Sequence, residues 1–335
     1  VSSSKTVKHV ILTGGVGSRL WPLSRKSTPK QYIKLFKGKS LFEMTIKRNL
    51  QIANDVVVVG NIDNYHLSNE VVNSLGVSPL NIIEATPRNT AAAIAFAAFA
   101  TSKDAVLVVT PSDHIIQNDE LYELAMKNAI QLAEQGNIVT FGINPTKPET
   151  GYGYIEFEGN DVLSFREKPN KETAEYFIEQ GNFLWNSGMF CFKASVLLEE
   201  LKKFEPEVYE ASKKAWEHSI DGKLSIEDSK KIPSISIDYA VMERSKKIKV
   251  VPGAFEWSDL GSFESIYDYL KSIGHSIDEN GNMVIGSDVY TAFLGLEDTI
   301  FVHTKDANLI LQKEKAQQVK KLYNALDRVD SRLLD

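Results

Sequence analysis

The sequence predicts an α/β protein built on an open, mainly parallel sheet with helices on both faces, followed by a small β-rich segment. Three observations predict it. Short β-branched runs alternate with amphipathic segments from Lys8 onward, each run is nearly continuous in apolar residues, and each closes at Gly, Asn or Pro. Continuous apolar runs are what strands covered on both faces require. The runs are VKHVILT, DVVVVG, NIIEA, DAVLVVT and NIVTFGI. Between them the pattern predicts helices over 40–52 with Ser40 as N-cap, over 65–75, over the alanine-rich 89–101, and over 118–135. Ligands of such sheets gather outside the carboxyl ends of the strands, so the chemistry is expected just after each run.

After Pro148 the texture changes. GYGYIEFEGNDVLSFREKP reads as strand, turn and strand, then come a helix over 171–180 and a strand through FLWNSGMFCF, together an insertion or extension of the sheet. Helices follow over 194–204, 206–217 and 237–244, then a short strand IKVVP and a helix over 262–270. From Asn280 the chain turns to Gly-punctuated β-like pieces and ends in the charged helix KAQQVKKLYNAL. The expected division is a large domain over 7–276 and a small accessory domain over 277–335.

Composition narrows the function. At about 150 residues per domain, 335 residues make two domains. With 43% hydrophobic and 24% charged residues, long disorder and coiled coil are excluded as the main architecture. Lys plus Arg 38 against Asp plus Glu 44 gives −6, so no global field draws the protein to nucleic acid or a membrane surface, and an anionic ligand needs local groups. The single cysteine, Cys191, excludes an intrachain disulfide and fits a reducing compartment. No run approaches the ~20 apolar residues of a membrane span, and VSSSKTVK lacks a secretory apolar core, so a cytoplasmic location is expected. The first residues, from Val1, are assigned no role.

The first strand runs into GGVGSRLWPLSRKSTPKQ. Gly14, Gly15 and Gly17 let backbone N–H groups turn toward an anion, and Arg19, Arg25 and Lys30 add fixed charge, the makings of a phosphate cradle. A dinucleotide-binding loop is disfavoured because Leu20 stands where its third glycine belongs. Gly38, Lys39 and Ser40 spell the end of a P-loop, but Ile33 holds the place of its first glycine, so a turn and helix cap is the expected reading.

The run GGVGSRLWPLSR with PKQ after it resembles the signature of sugar-nucleotide pyrophosphorylases, and its Trp-Pro-Leu and Pro-Lys-Gln resemble the mannose-1-phosphate guanylyltransferase branch. Thr13 replaces the alanine that usually precedes the glycine pair. EATPRNTAAAI, PSDHII, ETGYGYI, FREKP, WNSGMF, SIDYAVME and EWSDLGS are similar to further blocks of that family in the same order, so the resemblance covers about residues 7–327. It implies a Rossmann-like nucleotidyltransferase (GT-A-like) fold with a mixed, mainly parallel sheet and a short β-helix-like tail, abbreviated between Met283 and Leu294. It also implies transfer of GMP from GTP to mannose 1-phosphate with Mg2+. Rival readings are a nucleotidyltransferase for another base or hexose 1-phosphate, and a non-catalytic nucleotide-sugar sensor. An added isomerase activity would call for further chain and a metal-binding histidine cluster, and neither is expected.

Each block also has its own physical reading. Guanine presents N1–H beside an exocyclic amine, a donor pair that one carboxylate accepts together, and Glu84 at a strand end is the candidate. The resemblance places this segment against the base, with Arg88, Asn89 and Thr90 adding contacts from a helix N-terminus. Asp113 follows the strand AVLVVT, and a carboxylate there points into the ligand crevice. By resemblance it pairs with Asp259 of WSDLGS to bind magnesium, an ion that suits carboxylate and phosphate oxygen. His114 has no partner at ligand spacing and is not assigned. Pro169 is expected to hold Glu167 and Lys168 extended, with side chains on opposite sides. By resemblance Glu167 takes sugar hydroxyls and Lys168 the sugar phosphate, Asn186 and Gly188 form a sugar-contacting turn, and Asp238 joins the acceptor phosphate region. Tyr152 and Gly153 allow close backbone approach to the sugar, whereas Trp185, Phe190 and Phe192 read as core. The glycine loop, Ser18 and Arg19 would grip the triphosphate, Lys30 would stabilise departing pyrophosphate, and Lys168 would aim the attacking phosphate. Exposed apolar β-edges predict a homodimer.

Overall fold

The computed structural model describes residues 6–35, 38–53, 55–329 and 331–335. The strands in chain order are β1 Val7–Leu12, β2 Asp55–Asn61, β3 Leu80–Glu84, β4 Val106–Pro111, β5 Ile115–Gln117, β6 Ile138–Ile143, β7 Tyr154–Glu158, β8 Asp161–Arg166, β9 Phe183–Lys193, β10 Ile248–Gly253, β11 Glu256–Ser258, β12 Met283–Ile285, β13 Thr299–His303 and β14 Asn308–Gln312. The chain divides into two compact units.

The first unit takes the segment ending at Gly14, then Thr45–Ser112 and Ile116–Trp257. It holds a nine-stranded sheet in the order β3-β2-β1-β4-β9-β6-β10-β8-β7. The pairs β1–β2, β2–β3, β1–β4 and β6–β10 are parallel, and β9 runs antiparallel between β4 and β6. This is the mixed, mainly parallel sheet that the continuous apolar runs predict. Val10 lies opposite both Val57 and Val109, and all three are buried because helices cover both faces of the central strands. The helix Asn89–Phe99 is alanine-rich and apolar all round, and Ala91–Ala98 are buried without exception, as such a helix must be.

Local chemistry sets the helix starts. Ser40 Oγ accepts the Glu43 N–H at 3.2 Å, and Asn118 Oδ1 accepts the Leu121 N–H at 3.1 Å. The Gly38–Ser40 run is therefore a turn and cap, as read. The helix expected over 237–244 is instead a π-helical turn, Asp238–Met242. π-turns concentrate where a fold is adapted to a site, and apolar periodicity does not reveal one.

The second unit comprises Gly15–Met44, Asp113–Ile115 and Ser258–Asp335. Its sheet is β12-β13-β14, with β12 and β13 parallel and β13 and β14 antiparallel. Leu20, Trp21 and Leu41 share an apolar core with Ile266, Met283, Ile300, Val302 and Tyr323. The packing thus differs from a division at 276/277: the glycine-loop segment and the helix Phe263–Ser272 pack with the C-terminal strands. The reason is that the apolar faces of Leu20 and Trp21 are buried there, to 2% and 8% exposure.

Candidate active site

The second unit encloses a cavity of about 520 Å³, lined by Gly15, Val16, Gly17, Ser18, Arg19, Leu20, Lys30, Asp113, Asp259, Gly261, Lys320 and Tyr323. Its floor is set by close approach. Gly17 has φ +77°, and a Cβ there would lie 2.6 Å from Lys30 Cβ, so only glycine lets the loop pass over the lysine stem. Ser24 Oγ donates to the Gly17 carbonyl at 2.6 Å, and the Lys30 N–H donates to the Val16 carbonyl at 3.2 Å. Gly14 is exposed and is not among the lining residues.

Lys30 is buried, its Nζ 2.8 Å from Asp113 Oδ2 and donating to the Asp259 carbonyl. Burial pushes the Asp113 carboxyl up, but Lys30 and His114 beside it outweigh burial and hold it below the ordinary carboxylate range. Burial is also the largest influence on His114 and lowers its pKa, so the imidazole tends to stay neutral 3.7 Å from Asp113 Oδ1. Asp259 Oδ1 accepts the Gly261 N–H at 3.1 Å, and a Cβ at Gly261 would lie 2.5 Å from Asp259 Oδ2. Glycine there leaves the carboxylate room to stand where it does.

The fold therefore brings Asp113 and Asp259, 146 positions apart in the chain, onto one cavity. No cluster of three or more His, Cys, Asp or Glu side chains able to hold a metal occurs among the described residues. Two carboxylates on one cavity are an oxygen donor set that fits magnesium only when substrate phosphate and water complete its shell.

Arg25, expected near the phosphates, turns elsewhere. Its NH2 pairs with Asp306 Oδ1 at 2.7 Å, Nε donates to the Pro22 carbonyl at 2.9 Å, and NH1 donates to the Leu333 carbonyl. Buried under the loop, it spends its charge on tethering the chain. Lys320 and Tyr323 on the cavity wall were missed because they lie in the charged terminal helix read as accessory. The signal was the i, i+4 spacing of Val319 and Tyr323, which buries one face of that helix.

In the first unit, Glu84 at the end of β3 is only 7% exposed, and its Oε1 has no hydrogen-bond partner. Burial pushes the carboxyl up to about 7, with a backbone N–H of Arg88 pulling it partly down. A buried acceptor without a donor is the complement of a ligand that brings donors. Arg88 Nε donates to the Ile232 carbonyl at 2.6 Å, and Thr90 Oγ1 accepts the Ile237 N–H at 2.9 Å, so both side chains hold the following segment in place. Asn89 is exposed at φ 71° and its Oδ1 accepts the Thr90 N–H at 2.8 Å.

A second cluster in this unit gathers residues far apart in the chain. Asn186 Nδ2 donates to Asp238 Oδ1 at 3.0 Å, while Asn186 Oδ1 accepts from Thr140 Oγ1 at 3.0 Å and from the Gly188 N–H at 3.2 Å. Gly188 has φ 72°, which lets its N–H turn back to Asn186. Burial, then the Glu167 charge, pushes the Asp238 carboxyl up to about 6. Glu167 and Lys168 are not held on opposite sides: Lys168 has φ 48°, its N–H donates to the Tyr152 carbonyl at 3.2 Å, and its ammonium folds back onto Glu167. A following proline disfavours the right-handed helical region but leaves the left-handed one open, and the Tyr152 bond selects it. The close approach that Gly153 allows is to Glu167, whose Oε2 would lie 2.5 Å from a Cβ. The Tyr152 ring stands edge-on to Trp185 and Trp257, with centroids 5.1 and 5.2 Å away, and Trp185, Phe190 and Phe192 are buried as read.

A Rossmann-like sheet, a glycine loop over a buried lysine, and two aspartates on the same cavity define a nucleotidyltransferase. The chain belongs to the nucleotidyl transferase family, whose model matches residues 8–276. Residues 275–326 match the MannoseP isomerase/GMP-like beta-helix domain. The chain is 39% identical to mannose-1-phosphate guanylyltransferase 2 of Escherichia coli O157:H7, over 97% of its own length and 74% of that protein's. It is 40% identical to mannose-1-phosphate guanylyltransferase RfbM of Salmonella typhimurium, over 96% and 72%. Among solved structures, one described as a mannose-1-phosphate geranyltransferase from Thermus thermophilus superposes with a TM-score of 0.82 at 29% identity, covering 96% of this chain and 99% of that one.

Proposed function

We propose that the enzyme transfers GMP from GTP to α-D-mannose 1-phosphate, giving GDP-mannose and pyrophosphate. The observation that carries the reading is the gathering of the glycine loop, Lys30, Asp113 and Asp259 on one cavity, in a chain about 40% identical to guanylyltransferases acting on mannose 1-phosphate.

The acceptor's phosphate oxygen is ionised at neutral pH, so no general base is needed to make the nucleophile. That oxygen forms a bond to the α-phosphorus of GTP, the bond from α-phosphorus to the bridging oxygen breaks, and pyrophosphate leaves with the electron pair. Catalysis is then alignment and charge neutralisation. Gly15, Gly17 and Ser18 offer backbone N–H groups to the triphosphate and Arg19 adds charge. Lys30 fixes Asp113 and faces the departing pyrophosphate. Asp113 and Asp259 would hold Mg2+, which when bound neutralises charge on the triphosphate and its leaving group. Glu84 accepts from the guanine edge, with Arg88, Asn89 and Thr90 shaping the helix start beside it. Glu167, Tyr152, Gly153, Asn186 and Gly188 receive the sugar, and Lys168, with Asp238 behind it, takes the sugar phosphate once its ammonium swings off Glu167.

No helix among the described residues is long and apolar enough to cross a membrane. Cys191 is buried, and burial pushes its thiol up and leaves it unreactive. The working form is a homodimer.

A coupled assay of pyrophosphate release tests the function, with four nucleoside triphosphates crossed against mannose 1-phosphate and glucose 1-phosphate. GTP with mannose 1-phosphate should exceed every other pair by about tenfold or more. A different preferred pair, or no release with any, overturns the reading.

A further inference from the structure

We propose that Lys320 is a further substrate-binding cation of this enzyme, holding the two phosphates that leave as pyrophosphate. The inference rests on the nucleotidyl-transfer reading above. Lys320 lies on the terminal helix Val319–Arg328 and lines the same cavity as the glycine loop, Asp113 and Asp259. The helix is held as a wall: Val319 and Tyr323 are buried at 3% and 8% exposure, and Lys26 Nζ pairs with Asp327 Oδ1 at 2.9 Å. The same burial directs the adjacent Lys320 to the exposed side.

Ion pairing separates it from Lys30. Of the cations on the cavity, Lys30 is committed to Asp113 and to the Asp259 carbonyl, whereas neither Arg19 nor Lys320 has an ion-pair partner among the described residues. Lys30 is 7% exposed at its side chain, on the closed side of the cavity, and Lys320 is exposed, on the open side. A group that must release into water with newly gained charge is best met by a cation on the open side. A long, flexible ammonium can follow it there at little desolvation cost.

The test runs the reaction from GDP-mannose and pyrophosphate, where the two phosphates enter as a separate substrate. In K320A the KM for pyrophosphate should rise about tenfold or more, the loss expected of one charge-assisted contact. The KM for GDP-mannose should stay within about twofold, and K320R should recover most of the loss. K321A, one position along the helix and off the cavity, controls for general charge and should match wild type. Melting temperature should not change, since the side chain is exposed. An unchanged pyrophosphate KM in K320A, an equal rise for GDP-mannose, or an equal effect in K321A overturns the proposal. Calorimetric titration of pyrophosphate into wild type and K320A separates the two hypotheses. Weaker binding in the variant supports the Lys320 contact even if wild type fails to turn over GDP-mannose, and equal binding removes it even if wild type is fully active.

Discussion

Under the proposed function, Glu84 couples base recognition to pH. Its carboxyl rises from an ordinary 4.5 to about 7 because it is buried. The native state then holds the proton more tightly than the unfolded chain. Its contribution to stability is full below about 4.5 and is lost as pH rises through about 7, a change on the order of 3 kcal/mol. In E84Q that part of the stability slope should flatten, which urea titrations at pH 5 and 8 measure. Guanine donors favour the ionised form, so the KM for GTP should fall between pH 6 and 8 in wild type more than in E84Q. The variant should also discriminate less between GTP and ATP, since an amide offers one acceptor beside a donor. Parallel pH profiles and unaltered discrimination would remove Glu84 from base reading. At the cavity, D113N should lower kcat at least a hundredfold with an unchanged circular dichroism spectrum. Near-normal turnover at saturating magnesium would show that Asp113 holds no catalytic metal.

At the scale of the element, the loop and its turn depend on one missing methyl group. G17A would place a carbon 2.6 Å from Lys30 Cβ on a residue at φ +77°. The left-handed backbone alone costs about 1–2 kcal/mol, and Lys30 must shift. A lower melting temperature together with a higher KM for GTP is the expected result, and a variant that melts lower but binds GTP normally would separate loop shape from phosphate binding. Sequence legibility follows the same scale. The buried strands, the glycine loop and the capped helices were readable because Val57, Gly17 and Asn118 each obey a local rule. The fold-back of Lys168 onto Glu167 and the π-turn at Asp238 were not. Lys168 takes its backbone acceptor from Tyr152, and the Asp238 carboxylate meets Asn186, contacts that no local pattern spells out. Arg25 was misplaced for the same reason: its partners, Asp306 and the Leu333 carbonyl, are 281 and 308 positions away.

For the whole molecule, the exposed apolar side chains cluster in the C-terminal part. Leu294 is 98% exposed, Tyr290 91% and Ile310 64%, and Ile310 lies on β14, an edge of its sheet. A second copy covering this edge would bury Ile310, so light scattering at micromolar concentration should give the mass of a dimer, and I310E should give a monomer. A monomeric wild type would leave these residues without a partner of their own kind. R25A should cost the protein about 1–3 kcal/mol, visible as a lower urea midpoint, by removing the ion pair to Asp306 and one of the two donors to the Leu333 carbonyl.

Leu334 is 1% exposed, the Lys26 N–H donates to its carbonyl at 2.7 Å, and the Trp21 indole donates to the Leu333 carbonyl at 2.9 Å. L334A would loosen the segment whose Leu333 carbonyl holds both the Trp21 indole and the Arg25 guanidinium, so one buried leucine secures two donors more than 300 positions away.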